Sequence, residues 1–209
     1  MSVAKEFEAA NTNYIASFTK GDLQLPPQRK VAVVACMDAR LDPARALGLE
    51  EGDAHVIRNA GGRVSDALRS IIISQQLLGT REIVIVHHTN CGMLTFTEDV
   101  IRDKIRTDLH QNADHIAFLP FRDLEQSVRD DIQILKDSPL VLEVSITGYV
   151  YQVETGKIVQ SMCTHALNEF GSCTTGTCIA YHHPGGGLKR ERERERVETK
   201  ITPSTSMLR

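Results

Sequence analysis

The chain has 209 residues, a formal net charge of −3 and 41% hydrophobic residues, which fits one globular domain with a substantial core. The mild acidity provides no attraction to nucleic acid or to an anionic membrane surface. No apolar run approaches the roughly 18 residues that a membrane span needs. The N-terminus lacks an apolar signal core and the five cysteines are an odd number, so we expect reduced thiols and a cytoplasmic protein.

The first part of the chain predicts a helix, a connector, a strand and a short second helix. Residues 1–20 place apolar side chains at helical spacing, and the prolines and glycine of GDLQLPPQRK then break the pattern. VAVVAC (31–36) is the kind of β-branched run found in strands covered on both faces. Asp42 and Pro43 predict the N-cap and the first position of a helix over 42–49.

A strand, a helix and another strand are predicted next. AHVIRNAGG (54–62) predicts a second strand that runs into a glycine-bearing turn. SDALRSIIISQQLLGT (65–80) is strongly amphipathic, and we expect Ser65 to cap this helix and Gly79 to end it. EIVIVH (82–87) predicts a third, buried strand.

Two polar-faced helices and a hairpin complete the regular pattern. The helices are predicted in TEDVIRDKIRTDLHQ and RDLEQSVRDDIQILKDSP, and Pro139 closes the second one. Residues 140–159 predict a fourth strand and a hairpin around ETGK. This alternation predicts an α/β fold with a mostly parallel central sheet flanked by helices.

The composition changes at about residue 160. Residues 160–209 combine little apolar periodicity with a PGGG break and an alternating Arg/Glu run, so we expect a domain over 1–159 followed by a poorly ordered tail. Cysteines and histidines recur in the tail, but their spacing fits no common zinc motif. A second metal site there is therefore an alternative that we do not favour.

Three metal-capable side chains follow the ends of two predicted strands. Cys36 ends the first strand, and His88 and Cys91 stand just beyond the third. If these strands are neighbours, the side chains meet at the edge of the sheet where open α/β folds bind ligands. Two thiolates and one imidazole make a zinc set with an open fourth position, which is typical of a catalytic site. The alternative for Cys36 alone is a buried core thiol.

Asp38 and Arg40 add a charged pair beside this edge. Their spacing allows a bidentate ion pair, which would keep the carboxylate ionised. Asp38 could then orient a zinc-bound hydroxide, or it could move onto the metal as a fourth ligand and close the site. A purely structural ion pair near a strand end is the alternative.

These motifs resemble those of the β-class carbonic anhydrases. The resemblance rests on Cys36-x-Asp38-x-Arg40, on His88-x-x-Cys91-Gly92, on VIRNAGG (56–62) and on ITGYVYQVETGKI (146–158). It covers roughly residues 1–159. CMDARLDP and HHTNCGMLTF are most similar to a compact subgroup that also resembles hydrolases of carbonyl sulfide and carbon disulfide. The tail over 160–209 departs from the family and would also fit a translated non-coding segment.

The resemblance implies a zinc lyase, a carbonate dehydratase, that reversibly hydrates CO2 to bicarbonate through a zinc-bound hydroxide. It implies one Zn²⁺ per subunit, held by Cys36, His88 and Cys91, with Asp38 and Arg40 as the catalytic residues. A hydrolase that releases H2S from carbonyl sulfide or carbon disulfide at the same site is the first alternative. A non-catalytic bicarbonate sensor or scaffold is the second alternative, although no ligand and neither member of the Asp–Arg pair is lost.

The resemblance also implies a homodimer or homotetramer in which the helix over 1–20 packs on the partner protomer. His87 is a candidate proton shuttle by proximity, but neighbouring positions on a strand face opposite ways, so a packing role is also open. For Arg58 and Asn59 we favour turn chemistry and subunit contact over catalysis.

Overall fold

The computed structural model of the chain describes residues 2–161, and the order of elements follows the predicted alternation. The helices are α1 Val3–Ile15, α2 Pro43–Leu47, α3 Val64–Leu78, α4 Glu98–Leu109 and α5 Leu124–Asp137. The strands are β1 Val31–Cys36, β2 Ala54–Asn59, β3 Glu82–His88, β4 Ser145–Tyr151 and β5 Ile158–Gln160. Over the described range, no helix has the length and apolarity to span a bilayer.

The five strands form one sheet in the order β2-β1-β3-β4-β5. The first four are parallel, and β5 returns antiparallel to β4 as the second arm of the predicted hairpin. The predicted α/β fold with a mostly parallel sheet is confirmed. The predicted tail lies, beyond Ser161, outside the described residues, and the domain boundary at residue 159 stays a prediction.

The core lies on both faces of the central strands, as the apolar runs require. All six residues of β1 are buried, because helices cover one face of the sheet and connecting segments cover the other. On the helical face, α3 and α5 pack side chains such as Ile71 and Ile132 against Val34 and Ile85. The opposite face is closed by residues from the loops, among them Leu41, Met93 and Phe121.

Local capping chemistry explains where the helices begin and end, with one correction. Asp42 caps α2 as predicted, since its side chain accepts from the amides of the second and third helical residues. Gly79 ends α3 with φ 75°, also as predicted. Ser65 is not the N-cap of α3, because the helix begins at Val64. The amide of Val64 instead donates to Asp131 on α5, at 3.2 Å.

The packing of β4 against α5 makes a glycine necessary at position 148. A Cβ on Gly148 would collide with Cγ1 of Val128 and approach Cδ1 of Ile132 to 3.0 Å. Gly148→Ala should therefore lower the free energy of unfolding by about 1–3 kcal/mol, as overpacked cores do. Urea denaturation measures the change.

Gly21→Ala is the matched control for this prediction. The nearest atom to a Cβ at Gly21 is a ring carbon of Phe18 at 3.8 Å, so the free energy of unfolding should change by less than about 0.5 kcal/mol. Equal stability of the two variants would contradict the tight packing between β4 and α5.

Candidate metal centre

The three predicted ligands come together at the carboxyl end of the sheet. Cys36 is the last residue of β1, His88 is the last residue of β3, and Cys91 precedes a 3-10 turn at Gly92–Leu94. Because β1 and β3 pair in parallel, these strand ends share one edge, as the sequence analysis required. One donor atom from each side chain lies within 4.8 Å of the others, and all three residues are buried.

The spacing of the two sulfurs fits a tetrahedral metal. The Sγ atoms of Cys36 and Cys91 are 4.0 Å apart, and both cysteines are free. A disulfide would require about 2.05 Å. Two thiolates at the usual 2.3 Å from zinc, separated by a tetrahedral angle, would lie about 3.8 Å apart. The pair is therefore placed close to the separation that such an ion requires.

The ring of His88 is oriented for coordination through Nε2. Its Nδ1 lies 2.8 Å from the carbonyl oxygen of Thr89, so Nδ1 donates its proton there and Nε2 keeps its lone pair. Nε2 is buried and has no hydrogen-bond partner among residues 2–161. A buried acceptor left in this state is costly, and a cation at the shared position of the three donors would satisfy it.

The surroundings favour a thiolate at Cys36 and a neutral thiol at Cys91. Hydrogen bonding from Cys91, assisted by His88, lowers the pKa of the Cys36 thiol to about 4 despite its burial. The hydrogen bond to Cys36 and burial in turn raise the pKa of Cys91, since two adjacent thiolates repel one another. Burial opposes protonation of His88, but the nearby Cys36 sulfur and its negative charge outweigh burial and raise the pKa of the imidazole. A bound cation would stabilise both cysteines as thiolates and His88 as a neutral ligand.

Asp38 and Arg40 form the bidentate pair that their spacing predicted. Nε of Arg40 donates to Oδ1 of Asp38 at 2.9 Å, and Nη2 donates to Oδ2 at 2.7 Å. This pairing holds the pKa of Asp38 well below its usual range. Oδ2 also lies 3.7 Å from Nε2 of His88, which places the ionised carboxylate beside the three metal-capable donors.

Arg58 holds the segment that links Cys36 to Asp38, a contact that the sequence analysis missed. Its guanidinium donates to the carbonyls of Cys36 at 2.8 Å, Asp38 at 2.7 Å and Leu41 at 2.9 Å. These bonds shape the turn after β1 and agree with the turn chemistry that we favour for Arg58, whereas its subunit contact stays a prediction. The available signal was the cluster of polar residues at the end of β2, the strand beside β1.

His87 faces away from the metal-capable cluster and has no exposed surface. Its Nδ1 lies 2.7 Å from the hydroxyl of Ser127, and its Nε2 lies 3.2 Å from Asp131. The ring also stacks on Phe121, with centroids 5.5 Å apart. This placement supports a packing role for His87 and argues against proton transfer to solvent.

Asp131 is a second residue that the sequence analysis missed. Its carboxylate is fully buried, accepts from the amide of Val64, lies 3.2 Å from Nε2 of His87 and pairs with Arg63 at 3.1 Å. The signal was present in α5, where this acid stands in the apolar stripe of Val128 and residues 132 and 135. Its partners lie far along the chain, so the pattern indicated burial without identifying them.

Comparison with known proteins agrees with this geometry. A family model described as carbonic anhydrase matches residues 31–158. Beta-carbonic anhydrase 1 of Mycobacterium tuberculosis is 45% identical over 162 residues, which are 76% of this chain and 97% of that protein. A solved carbonic anhydrase from Glaciozyma antarctica is 51% identical, with a TM-score of 0.72 over 78% of this chain and 100% of that one.

The subgroup resemblance is also found. The carbon disulfide hydrolase of Saccharolobus solfataricus is 36% identical over 159 residues, which are 64% of this chain and 78% of that protein. The carbonic anhydrases named above are more similar to this chain than this hydrolase is. The sheet, the position of the cluster at its carboxyl edge and these matches together establish that this chain belongs to the β-carbonic anhydrase family.

Proposed function

We propose that this protein is a zinc-dependent carbonic anhydrase that interconverts CO2 and bicarbonate. One observation carries the proposal: the buried Nε2 of His88, which has no hydrogen-bond partner within residues 2–161, lies beside the two thiols and an ionised carboxylate. Two soft sulfur donors and an imidazole are the ligand types that select zinc over magnesium or calcium.

Cys36, His88 and Cys91 would hold one Zn²⁺ per subunit and leave a fourth position open. Zinc at such a site acidifies a coordinated water and stabilises negative charge that develops on the substrate. Cys36 and Cys91 contribute negative charge to the site, so we expect weaker acidification of water than three neutral imidazoles allow.

Asp38 is proposed to orient the nucleophile. As an ionised acceptor next to the donor set, it can take a hydrogen bond from the attacking water and direct an oxygen lone pair at the carbon of CO2. Arg40 occupies both carboxylate oxygens from the other side, so it keeps Asp38 ionised and restricts its rotation. The same carboxylate could instead occupy the fourth position itself, which would close the site.

Hydrolysis of carbonyl sulfide or carbon disulfide is the second candidate function. It is favoured by the similarity to a carbon disulfide hydrolase, and it requires the same nucleophile and the same three donors. Because the identity to proteins named as carbonic anhydrases is higher, we favour CO2 over carbonyl sulfide and carbon disulfide as the substrate.

A paired assay tests the proposed reaction. Wild-type protein of measured zinc content should hydrate CO2 faster than it releases H2S from carbonyl sulfide. Asp38→Asn should lower kcat/KM for CO2 about 100-fold while zinc stays bound, because orientation of the nucleophile is lost. Asp22→Asn, at an exposed position remote from the site, should match wild type. Faster H2S release, or full activity of Asp38→Asn, would contradict the proposal.

Metal analysis tests the ligand set. His88→Ala should reduce bound zinc from one ion per subunit to a small fraction, because removal of one donor leaves only two thiols. His115→Ala replaces an exposed histidine and should keep the wild-type stoichiometry. Mass spectrometry of the metal content after dialysis gives the result, and retention of zinc by His88→Ala would rule out this site.

We also propose that the protein is a homodimer or homotetramer in which α1 packs on a second copy. Among residues 2–161 nothing buries any residue of α1. Large apolar residues of α1 and of the segment just after it are 46–68% exposed. They are Val3, Phe7, Tyr14, Ile15 and Phe18. A 13-residue helix without tertiary packing is marginal in water, and a contiguous apolar face of this kind marks an interface.

Light scattering after size-exclusion chromatography tests the assembly. Phe7→Asp places a charge on the apolar face of α1 and should shift the protein toward the mass of one chain. Ala9→Asp places the same charge on the other side of the helix and should leave the assembly intact. A wild-type monomer, or equal masses for the two variants, would contradict the role of α1.

The cytoplasmic location stays a prediction from composition.

A further inference from the structure

The turn between two of the proposed ligands is held from outside by one carboxylate. Thr89 and Asn90 separate His88 from Cys91, and Glu154 lies in the connection between β4 and β5. Oε2 of Glu154 accepts from the hydroxyl of Thr89 at 2.8 Å, and Oε1 accepts from the side-chain amide of Asn90 at 2.5 Å. Each oxygen therefore binds a different residue of the same turn.

The connection that carries Glu154 is itself tied to this turn. The amide of Val153 donates to the hydroxyl oxygen of Thr89 at 3.0 Å, while the amide of Thr89 donates to the carbonyl of Tyr151 at 2.9 Å. The hydroxyl of Thr89 thus accepts from one residue of the hairpin and donates to the next. Although Glu154 is exposed, its carboxylate is presented from an anchored segment.

Asn90 passes this constraint to Arg40. Asn90 has φ 53°, a left-handed conformation that asparagine tolerates better than most residues. Its carbonyl accepts from Nη2 of Arg40 at 3.1 Å, and the same nitrogen donates to Oδ2 of Asp38 at 2.7 Å. One guanidinium nitrogen therefore joins the Asn90 carbonyl to the Asp38 carboxylate, which we propose orients the nucleophile.

The charges act in the same direction as the hydrogen bonds. The hydrogen bond from Thr89 lowers the pKa of Glu154, and the positive charge of Arg40 lowers it further, so Glu154 is ionised at neutral pH. Arg40 in turn has its pKa raised mainly by Asp38, with Glu154 adding to the effect. The guanidinium is thus attracted by carboxylates on two sides.

We propose that Glu154 is a positioning residue for the reaction, acting through Asn90, Arg40 and Asp38 without touching the substrate. The inference rests on the proposed function, because it assigns Glu154 to the same chemistry. Without the carboxylate, the turn keeps only its ties through Thr89, so the Asn90 carbonyl that anchors Arg40 is held less firmly. Misplacement by about 1 Å can cost a reaction about 100-fold. An exposed tether outside the ligand set should contribute less, about 10-fold.

The primary test compares Glu154→Ala with Glu143→Ala. The first should lower kcat/KM for CO2 about 10-fold, mainly through kcat, with zinc content and thermal midpoint close to wild type. Glu143 is an exposed glutamate just before β4, outside the turn, and its removal should leave the kinetics unchanged. A structural role alone would lower the thermal midpoint and leave kcat of the folded protein intact.

Asn90→Gly tests the same connection from its other end. Glycine keeps the left-handed φ and the backbone carbonyl but removes the amide that binds Glu154. The loss should equal that of Glu154→Ala, and the double variant should lose no more than either single one. In an Asp38→Asn background, Glu154→Ala should cause no additional loss, because the residue through which it acts is already disabled.

These outcomes separate failure of the inference from failure of the proposed function. If Asp38→Asn impairs CO2 hydration while Glu154→Ala and Asn90→Gly match wild type, the inference is wrong and the function stands. If Glu154→Ala lowers kcat/KM in the Asp38→Asn background by the same factor as in wild type, the inference is also wrong. A zinc-loaded wild type without CO2 hydration would overturn both. If Glu154→Ala does not fold, the result with Asn90→Gly decides.

Discussion

The parallel pairing of β1 with β3 is the constraint on which the site depends. It brings Cys36 and His88 to one edge of the sheet although 50 or so residues separate them, and a turn of two residues then returns the chain to Cys91. Side chains alternate along a strand, so the register also decides which histidine faces the cluster. A slip of one residue in β3 would turn His87 toward the sulfurs and direct His88 into the packed face.

The two faces of the end of β3 have complementary tasks. On one side, His88 offers the cluster a nitrogen that has no hydrogen-bond partner in the described part of the chain. On the other side, His87 is fixed by Ser127, Asp131 and the ring of Phe121. A buried carboxyl group such as that of Asp131 is tolerable only with several partners, and its partners come from the start of α3, from β3 and from Arg63 just before α3. These contacts fix the end of β3 on the face opposite to the metal-capable cluster.

Much of the fold and of the site follows from short-range sequence patterns. The β-branched runs identified β1 and β3, and Asp42 and Gly79 marked helix ends, because each depends on residues a few positions away. The site beyond the ligands depends on pairs with no local signature. Arg58 binds a carbonyl 22 residues away, Glu154 binds an amide 64 residues away, and Asp131 caps α3 from 67 residues away. The last pair also explains why Ser65 was the wrong cap, since a distant acceptor had already taken that role.

Assignment of one metal ion to Cys36, His88 and Cys91 is the central claim, and X-ray absorption at the zinc edge tests it most directly. The account predicts two sulfur neighbours at about 2.3 Å and nitrogen or oxygen neighbours at about 2.0–2.2 Å that complete a tetrahedron. The substitution Cys91→Ser should remove one of the two sulfur neighbours. A shell of oxygen and nitrogen only, or a sulfur count unchanged in Cys91→Ser, would contradict the account.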